Sequence, residues 1–564
     1  MIEIRTRPRD SFAERQLTEA GVHPLLARLF ASRGVESVPL REAAGLLPPA
    51  GLLGIDKAAT RLAGAIEANE RIVVVADYDC DGATACAVTV RALRLFGADV
   101  GYVVPDRLTM GYGLSIALVE LARQQQAPRL LLTVDNGTNA VEAIAYARAA
   151  GIDVVVTDHH LPGAQLPSAN ALVNPNQPGC RFASKSIAGV GVAFYVMLAL
   201  RAELRRRGRF DTRDQPRLDA LLDLVAIGTV ADVVKLDANN RLLVHLGLER
   251  IRQVRAQAGV LALIRVAGRD ARRLGSGDIG FAIAPRINAA GRIADMAIGI
   301  ECLLTDDPTL AFELALKLDA INAERRELTA TMTEQAAFEV ETIGAASPHR
   351  RSLVVSDASF HAGVIGLIAG RLKDAHHRPT LVFAPVADDR LQGSGRSIEG
   401  FHLRDAIDLA AARAPGSVVR FGGHAMAAGL TIEASKLSDF DVAFESVTSE
   451  WLAGRQPGRV IEVDGAVELA YLQPSVIAML EAEIWGQAFE APLFVDDWTV
   501  VSQRCLKDKH WKATLERNGQ RFEAIAFNRV EPLPSGARMA FRMASNHYQG
   551  NITAQLVIEH VLEE

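Results

Sequence analysis

Short apolar runs alternate with helical stretches between residues 71 and 172, and this alternation constrains the fold more than any other feature of the chain. The runs are Ile72–Ala76, Val100–Val104, Leu130–Val134 and Val154–Thr157. Continuous apolar strands that alternate with helices predict a parallel sheet covered on both faces. Because ligands of such sheets bind at the carboxyl ends of the strands, the residues that follow each run are the first functional candidates.

Carboxylates and histidines follow three of the four runs. They are Asp77, Asp79 and Asp81 in DYDCDG, Asp135 in DNG, and Asp158, His159 and His160 in DHH. Alternate residues of an extended segment point the same way, so the first three carboxylates converge and repel one another unless a cation neutralises them. Carboxylate and imidazole groups suit Mn²⁺ or Mg²⁺, and the nitrogen favours Mn²⁺. Two such ions can clamp a phosphodiester and lower the pKa of a bound water.

Two of the three motifs also have an interpretation without a catalytic metal centre. DYDCDG is similar to a calcium-binding loop, but the glutamate that ends an EF-hand loop is missing and a helix-forming segment follows. DHH alone is compatible with a helix cap and two incidental histidines. These alternatives must hold independently at three strand ends, whereas one metal centre explains all three.

Composition indicates a globular protein of several domains. A chain of 564 residues is too long for one hydrophobic core, and its five cysteines contain no CxxC pair, which favours a reducing compartment. The N-terminus MIEIRTRPRDSF has no apolar signal region, and Ile187–Leu200 is too short to span a bilayer, so we expect a cytoplasmic protein. The net charge of −6 does not exclude nucleic-acid binding, because binding depends on a local basic track.

The order of the motifs resembles that of a known superfamily. DYDCDG, DNG, DHH and GTVADVV at residues 228–234 are similar to the four motifs of the DHH phosphoesterases. PDRLTMGYGLS at 105–115 and PRINAAGRI at 285–293 resemble signatures of the RecJ branch of that superfamily. GSGRS at 393–397 and GGHAMAAG at 422–429 resemble the DHH-associated domain. The resemblance covers nearly all of the chain from Arg71 onward.

The expected architecture combines this resemblance with the remaining patterns. Thr309–Ile343 is apolar at helical spacing without an internal proline or glycine, which predicts a long helix between two domains. Strand-like periodicity after Gln456 fits a β-barrel of the OB type. We therefore expect an α/β protein with five parts: a helical N-terminal extension (1–60), a DHH catalytic domain with a parallel sheet (61–306), a bridging helix (307–345), a smaller α/β DHH-associated substrate-binding domain (346–455) and an OB-type nucleic-acid-binding barrel (456–564).

The resemblance implies a set of metal ligands. Asp79 resembles a ligand of one ion and Asp81 a ligand of the other. Asp135 resembles the carboxylate that bridges both ions, and His159 and Asp232 resemble ligands of the second.

Two further residues resemble parts of the catalytic machinery, and one position departs from the pattern. Asp158 resembles a carboxylate that orients His159, and His160 resembles the residue that contacts the scissile phosphate or protonates the departing oxygen. Pyrophosphatase-type relatives have a histidine where this chain has Val75. The first ion is therefore expected to have fewer protein ligands, with help from Asp77.

Candidate DNA contacts lie in three segments. Arg107 and Tyr112 follow the second strand, on the side of the metal ligands; their alternatives are a surface arginine and a core tyrosine. Arg286, Asn288 and Arg292 resemble a RecJ-type DNA track, although a structural role for Asn288 is nearly as well supported.

The glycine-rich run of the second α/β domain is the third segment. Gly422 and Gly423 allow a backbone to approach an anion closely, and successive N–H groups can form an anion-binding nest. With Arg396 and His424, this domain is expected to bind a phosphate that faces the metals. The alternative is a tight turn of small residues packed under a helix.

The resemblance implies hydrolysis of single-stranded DNA from the 5′ end to 5′-mononucleotides, in DNA recombination and repair. It also implies that single-strand-binding protein and a RecQ-type helicase are partners. Two alternatives stay open: a DHH-family phosphodiesterase that acts on short oligoribonucleotides or dinucleotides, and a non-catalytic binding module related to RecJ.

Overall fold

The structure is a computed structural model that describes residues 2–107, 110–111, 113–347, 349–454, 459–548 and 551–562. The N-terminal part begins with strand β1, and three helices follow. These elements are β1 (Ile2–Thr6), α1 (Ser11–Glu19), α2 (Pro24–Ala31) and α3 (Ile55–Glu67). The first strand is an element that the predicted helical extension did not include.

The first α/β domain contains the predicted parallel sheet. Its strands are β2 (Ile72–Val75), β3 (Val100–Val103), β4 (Leu130–Val134), β5 (Asp153–Thr157) and β6 (Ala171–Val173). They lie in the order β3-β2-β4-β5-β6, and every neighbouring pair is parallel. Every residue of β2 and β4 is buried, as expected for strands covered on both faces. The helices between these strands are α4 (Cys80–Leu95), α5 (Ile116–Gln126) and α6 (Val141–Ala149).

A helical region completes this domain and leads into the bridging helix. Its helices are α7 (Gly189–Arg206), α8 (Leu222–Ala231), α9 (Ala238–Arg252), α10 (Ala258–Val266), α11 (Ser276–Asp278), α12 (Ala284–Ile293), α13 (Ala297–Leu304) and α14 (Pro308–Ala346). A π-helical turn at Ile279–Ile283 joins α11 to α12. The long helix α14 packs against α10, α12 and α13 at one end and against the second sheet at the other. It therefore connects the two α/β domains as predicted.

The second α/β domain has a mixed sheet in the order β10-β11-β9-β8-β7. Its strands are β7 (Leu353–Ser356), β8 (Thr380–Val386), β9 (Arg390–Arg396), β10 (Val418–Gly423) and β11 (Ala427–Glu433). Its helices are α15 (Ile365–His376), α16 (Leu403–Arg413) and α17 (Leu437–Trp451).

The C-terminal part ends in a closed five-stranded barrel, which confirms the predicted OB-type domain. Its elements are β12 (Arg459–Val463), α18 (Pro474–Ala482), β13 (Phe494–Leu506), β14 (His510–Arg517), β15 (Gln520–Phe527), β16 (Gly536–Tyr548) and β17 (Asn551–Leu562). The barrel order is β13-β14-β15-β17-β16. Trp498 is only 2% exposed and packs edge-on against Phe522 and Phe541, so it is a core residue.

The N-terminal part packs on the C-terminal part. Strand β1 pairs in parallel with β12, from Ile2 opposite Arg459 to Thr6 opposite Val463. Arg33 forms a two-pronged ion pair with Asp464, at 2.8 and 3.0 Å, and both side chains are almost fully buried. Phe30 contacts the rings of Trp485 and Phe489. Among the described residues, no helix is both long and apolar enough to cross a membrane.

Candidate metal centre

The loop between β2 and α4 carries the first three carboxylates. Asp79 caps α4, because its Oδ1 accepts a hydrogen bond from the Gly82 N–H at 2.9 Å. A side chain at Gly82 would lie 2.6 Å from the Asp77 carbonyl oxygen, so only glycine fits this tight entry to the helix. Asp81 is buried and accepts hydrogen bonds from the N–H groups of Gly189 and Val190, at 2.7 and 2.9 Å. The first turn of α7 thereby fixes its carboxylate.

Two of the expected ligands are associated with a left-handed backbone conformation. Asp135, at the end of β4, has a φ of +62°, and Val233, which follows Asp232, has a φ of +59°. A β-branched residue rarely adopts this left-handed conformation, so the backbone beside Asp232 is strained. The Cβ of a residue other than glycine at 189 would lie 2.4 Å from Asp135 Oδ1, so Gly189 leaves the space that Asp135 occupies.

The structure brings the expected ligands together in three overlapping groups. They are Asp77, Asp79 and Asp135; Asp81, His159 and Asp232; and Asp135, His159 and His160. In each group, one candidate ligand atom per residue lies within 4.8 Å of the others. His159 Nε2 lies 3.2 Å from Asp135 Oδ1 and 3.5 Å from Asp232 Oδ2. Asp135 belongs to two groups that contain different partners, as a carboxylate shared by two ions would.

The charges of the centre favour a bound cation. Burial raises the pKa of Asp77, Asp135 and Asp232 well above the ordinary carboxyl value, and neighbouring aspartates raise it further. Burial and Asp79 raise the pKa of Asp81 to about 7. Without an ion, these carboxylates are therefore costly to ionise together.

Buried polar atoms mark where an ion fits. Asp77 Oδ1, His159 Nε2 and Asp232 Oδ2 have no hydrogen-bond partner among the residues that the structure describes. Burial and the neighbouring His160 lower the pKa of His159 to about 4, so its imidazole is neutral at physiological pH. His159 hydrogen-bonds the Ile187 backbone, which leaves Nε2 as a lone-pair donor. Carboxylate oxygens and a neutral imidazole nitrogen are a set of donor atoms that suits Mn²⁺.

Asp158 contacts a different imidazole from the one expected. Its Oδ1 lies 2.8 Å from His160 Nδ1, and it accepts the backbone N–H of His159 at 2.7 Å rather than bonding the ring of that residue. Its Oδ2 accepts the Thr138 N–H at 2.8 Å. Burial opposes ionisation of Asp158, but these contacts hold its pKa below the ordinary value. The same hydrogen bond raises the pKa of His160 against the opposing effect of burial.

Four arginines converge beside the metal loop. The Arg107 guanidinium lies over the Tyr78 ring, 4.9 Å from its centroid. Burial lowers the pKa of Arg292 to about 10, and the positive charges of Arg107, Arg325 and Arg396 contribute to this shift. These residues come from the first domain, α12, α14 and the second domain, so the cluster lies where the domains meet. Like charges held together in this way favour an anionic ligand.

Arg325 was not expected, and two of the expected DNA contacts have other partners. Arg286 pairs with Asp319 of α14 at 2.7 Å, which anchors α12 to the bridging helix. Asn288 Oδ1 accepts the Cys80 N–H at 2.9 Å and so supports the metal loop. Tyr112 lies outside the described residues.

The run GGHAMAAG forms a β-hairpin rather than an open nest. Gly422 pairs with Gly429 and Gly423 with Ala428, and the His424 N–H donates to the Ala427 carbonyl oxygen at 2.8 Å. The His424 side chain is exposed. Because Ala427 pairs with Arg396, the hairpin closes next to the end of β9.

Comparisons with known proteins agree with this arrangement. The model of the DHH family, N-terminal domain, matches residues 71–229, the DHHA1 domain matches 350–450, and the RecJ OB domain matches 463–560. The single-stranded-DNA-specific exonuclease RecJ of Salmonella typhimurium is 43% identical over 574 residues, which cover 99% of each chain. The crystal structure of RecJ in complex with Mn²⁺ from Thermus thermophilus superposes with a TM-score of 0.83 at 28% identity. The superposition covers 100% of this chain and 79% of the Thermus chain.

The same Thermus protein in complex with Mg²⁺ superposes with a TM-score of 0.78 at 27% identity, covering 100% of this chain and 78% of that one. Sequence identity over almost the full length and a shared three-part domain organisation establish the relationship. The chain belongs to the RecJ family.

Proposed function

We propose that the chain is an exonuclease that uses Mn²⁺ or Mg²⁺ to degrade single-stranded DNA from the 5′ end to 5′-mononucleotides, in DNA recombination and repair. The observation that carries this proposal is the candidate metal centre beside a partly buried cluster of four arginines where two domains meet. RecJ family membership supports the exonuclease activity and the DNA substrate.

The expected ligands divide between two ions. Asp77, Asp79 and Asp135 would hold one ion, and Asp81, His159 and Asp232, with Asp135 shared, would hold the other. When bound, such ions neutralise charge on the phosphodiester and activate a water molecule for attack on phosphorus. Because Val75 supplies no imidazole at this position, Asp77 would take its place in the ligand set of the first ion.

His160 is the chain's own proton donor in this proposal. Its hydrogen bond to Asp158 stabilises the imidazolium form, and its side chain remains 35% exposed, so substrate can reach it. In this position it can contact the scissile phosphate and donate a proton to the departing 3′ oxygen. Asp158 acts through His160 as a positioning residue.

The arginines supply recognition of the 5′ end. Arg396 ends β9, and its Nη2 lies 3.1 Å from the position of a Cβ at Gly366, in the first turn of α15. A helix N-terminus and a guanidinium together form a favourable site for a phosphate. Arg107 and Arg292 continue the positive surface toward Asp79. A strand whose 5′ phosphate lies at Arg396 would thus present its first phosphodiester to the ions.

Family resemblance also supports a cytoplasmic enzyme that acts with single-strand-binding protein and a RecQ-type helicase. Co-sedimentation of the purified chain with purified single-strand-binding protein at moderate salt checks the first partnership. Absence of any complex there would contradict it.

Asp135→Ala tests the proposed chemistry. We expect loss of hydrolysis of a long single strand by at least about a thousandfold, because the shared ligand serves both ions. Binding of the same strand, measured by fluorescence anisotropy in EDTA, should change by less than about threefold. Asp153→Ala is the matched control. Asp153 lies at the amino end of β5, whereas Asp135 follows the carboxyl end of the neighbouring strand β4. Turnover by Asp135→Ala within about tenfold of wild type in Mn²⁺ would contradict the assignment.

Substrate choice tests the class of reaction. The wild-type chain should degrade a long single strand in Mn²⁺ and leave a blunt duplex intact, and EDTA should stop the reaction. Preferential cleavage of a dinucleotide would instead identify a dinucleotide phosphodiesterase. Strand binding without cleavage in either metal would identify a binding module.

A further inference from the structure

We propose that Phe281 is a stacking platform for a nucleobase of the single strand, on the path from the metal centre to the C-terminal barrel. This inference rests on the proposed function and adds a substrate contact to it. Phe281 is 90% exposed, the highest value for a large apolar side chain among the described residues. Its ring is therefore presented to solvent in the protein without DNA.

The exposure of Phe281 follows from the local backbone. Phe281 lies in the π-helical turn Ile279–Ile283, where the Ala284 N–H donates to the Ile279 carbonyl oxygen five residues earlier. Pro285 has no N–H, so it cannot donate to the Phe281 carbonyl oxygen as an α-helix would require. The turn keeps its neighbours Ile279, Ala282 and Ile283 buried and directs Phe281 outward. The ring is thus held by a packed helical segment.

The segment that carries Phe281 connects the barrel with the metal centre. At its start, Arg273 Nη1 lies 3.2 Å from His547 Nδ1 of β16, and Ser276 Oγ donates to the Trp485 carbonyl oxygen at 2.7 Å. At its end, Asn288 accepts the Cys80 N–H of the metal loop. A strand that extended from the proposed ions to the barrel would pass along this segment.

The π-helical turn that carries Phe281 packs against α8, and Asp232 lies at the C-terminal end of that helix. A Cβ at Gly280 would lie 3.6 Å from Val230 Cγ1, and the Val230 carbonyl oxygen accepts the Val233 N–H at 3.3 Å. Val233 directly follows Asp232 and is itself 63% exposed. Val233 and Phe281 are thus two exposed apolar side chains on adjoining segments. Val233 follows the C-terminal end of α8, and Phe281 lies in the π-helical turn.

A nucleobase fits this surface better than a protein partner. The ring of an aromatic residue stacks on any base, and such stacking tolerates every sequence. The exposed side chain of Arg272, on the same segment, can meet the phosphates that flank the base. One ring and one valine provide far less apolar area than a stable protein interface buries.

Strand binding by Phe281 variants tests this inference. The probe is a fluorescent oligodeoxythymidylate, and its dissociation constant is measured by anisotropy in EDTA. We expect Phe281→Ala to weaken binding about five- to tenfold and Phe281→Trp to bind within about twofold of wild type. Phe338→Ala is the matched control, because Phe338 is a 73% exposed phenylalanine on α14 and lies outside this path. Sedimentation of every variant checks that its oligomeric state is unchanged.

A scan with a single abasic nucleotide locates the stacked base. An abasic site at the stacked position should weaken wild-type binding by the same factor as Phe281→Ala. It should have no further effect in Phe281→Ala, because both changes remove the same contact. Equal additional losses in both proteins at every position would overturn the inference, as would unchanged binding by Phe281→Ala. A change of oligomeric state without a change in the abasic profile would identify a protein contact and also overturn it.

The outcome is separable from that of the proposed function. If the wild-type chain degrades single-stranded DNA and Phe281→Ala does so equally well at every strand length, only the stacking contact is wrong. If the wild-type chain neither binds nor degrades single strands, the proposed function fails first. In the supporting case, the ratio of long-strand to trinucleotide cleavage by Phe281→Ala falls below that of wild type.

Discussion

Asn288 Oδ1 and the Cys80 N–H form a hydrogen bond of 2.9 Å that joins α12 to the loop of Asp77, Asp79 and Asp81. Asn288→Ala leaves the N–H unsatisfied, at a cost of about 1–3 kcal/mol, and loosens the loop. We expect kcat in Mn²⁺ to fall about tenfold with little change in strand affinity.

Steady-state kinetics across a Mn²⁺ titration provide the measurement for Asn288→Ala. Asn170→Ala is the control, because Asn170 Oδ1 accepts the Val154 N–H at the same distance of 2.9 Å, away from the metal centre. Equal kinetic losses in the two variants would show that Asn288 has no special relation to the metal loop.

Removal of the metal should make stability depend on pH in a characteristic direction. Burial raises the pKa of Asp81 to about 7 in the ion-free protein. Between pH of about 4 and about 7, the ion-free folded protein therefore binds more protons than the unfolded chain, and its free energy of unfolding falls as the pH rises. Bound Mn²⁺ offsets the repulsion between the ionised carboxylates, so its stabilising effect should grow over the same range.

Melting temperatures in EDTA and in excess Mn²⁺ check this prediction between about pH 5 and about pH 8. Asp81→Asn should weaken the pH dependence of the ion-free protein, since it removes one of the titrating groups. Stabilisation by Mn²⁺ that is the same at both ends of the range would contradict the prediction.

The buried ion pair of Arg33 and Asp464 should stabilise the contact between the N-terminal part and the C-terminal part of the protein. Both side chains are no more than 2% exposed, and the Arg33 guanidinium also lies 5.3 Å from the centre of the Trp485 ring. Arg33→Met should lower the free energy of unfolding by about 3–5 kcal/mol, because the buried Asp464 loses its two-pronged partner and keeps only the more distant Arg7 Nε, at 3.9 Å. Chemical denaturation followed by tryptophan fluorescence provides the measurement.

A surface pair is the matched control for Arg33. Arg206 is 72% exposed and pairs with Glu203 of the same helix. Arg206→Met should cost less than about 1 kcal/mol. If the two arginine variants lose the same stability, the burial of the Arg33 pair has no energetic consequence.

Arg396→Ala should separate recognition of the strand end from general binding. We expect cleavage to fall at least about tenfold, since displacement of the scissile bond by about 1 Å costs on the order of a hundredfold in rate. The loss should be greater for a strand with a 5′ phosphate than for one with a 5′ hydroxyl. Single-turnover cleavage of both substrates makes the comparison.

Arg420→Ala controls for the loss of any arginine from this sheet. Arg420 is exposed on the neighbouring strand β10, where its Nε donates to Thr431 Oγ1 at 3.2 Å. Equal losses by Arg396→Ala on the two substrates would leave only a general role in strand binding. Full activity on both would mean that the second domain does not contact the strand end.

The parallel sheet and the metal centre were predictable because their signals are local. Runs such as IVVVA and LLLTV indicate buried strands, and Asp77 and Asp135 follow them at the carboxyl ends, where parallel sheets bind ligands. The ligand geometry follows, since Asp135, His159 and Asp232 meet in the fold as the motif order implies.

The rest depends on contacts between distant residues. Arg325 lies in the middle of a long helix, and nothing nearby in the sequence distinguishes it from Arg326. GGHAMAAG has no β-branched residue and three glycines, so its composition does not indicate the strand pairing that it forms. The strand IEIRT alternates apolar and polar residues, which is a strand pattern, but it is only five residues long and helical stretches follow it directly.

The parallel pairing of β1 with β12 sets the order in which the molecule can be completed during synthesis. Arg33 and Asp464 are separated by 431 positions, and a ribosome adds roughly 5–20 residues per second. During synthesis, the apolar face of α2 is therefore made tens of seconds before Trp485 and Phe489, which pack against it in the folded protein. Both α/β domains are synthesised within that interval. The N-terminal part and the C-terminal part therefore pair after these domains have had time to fold.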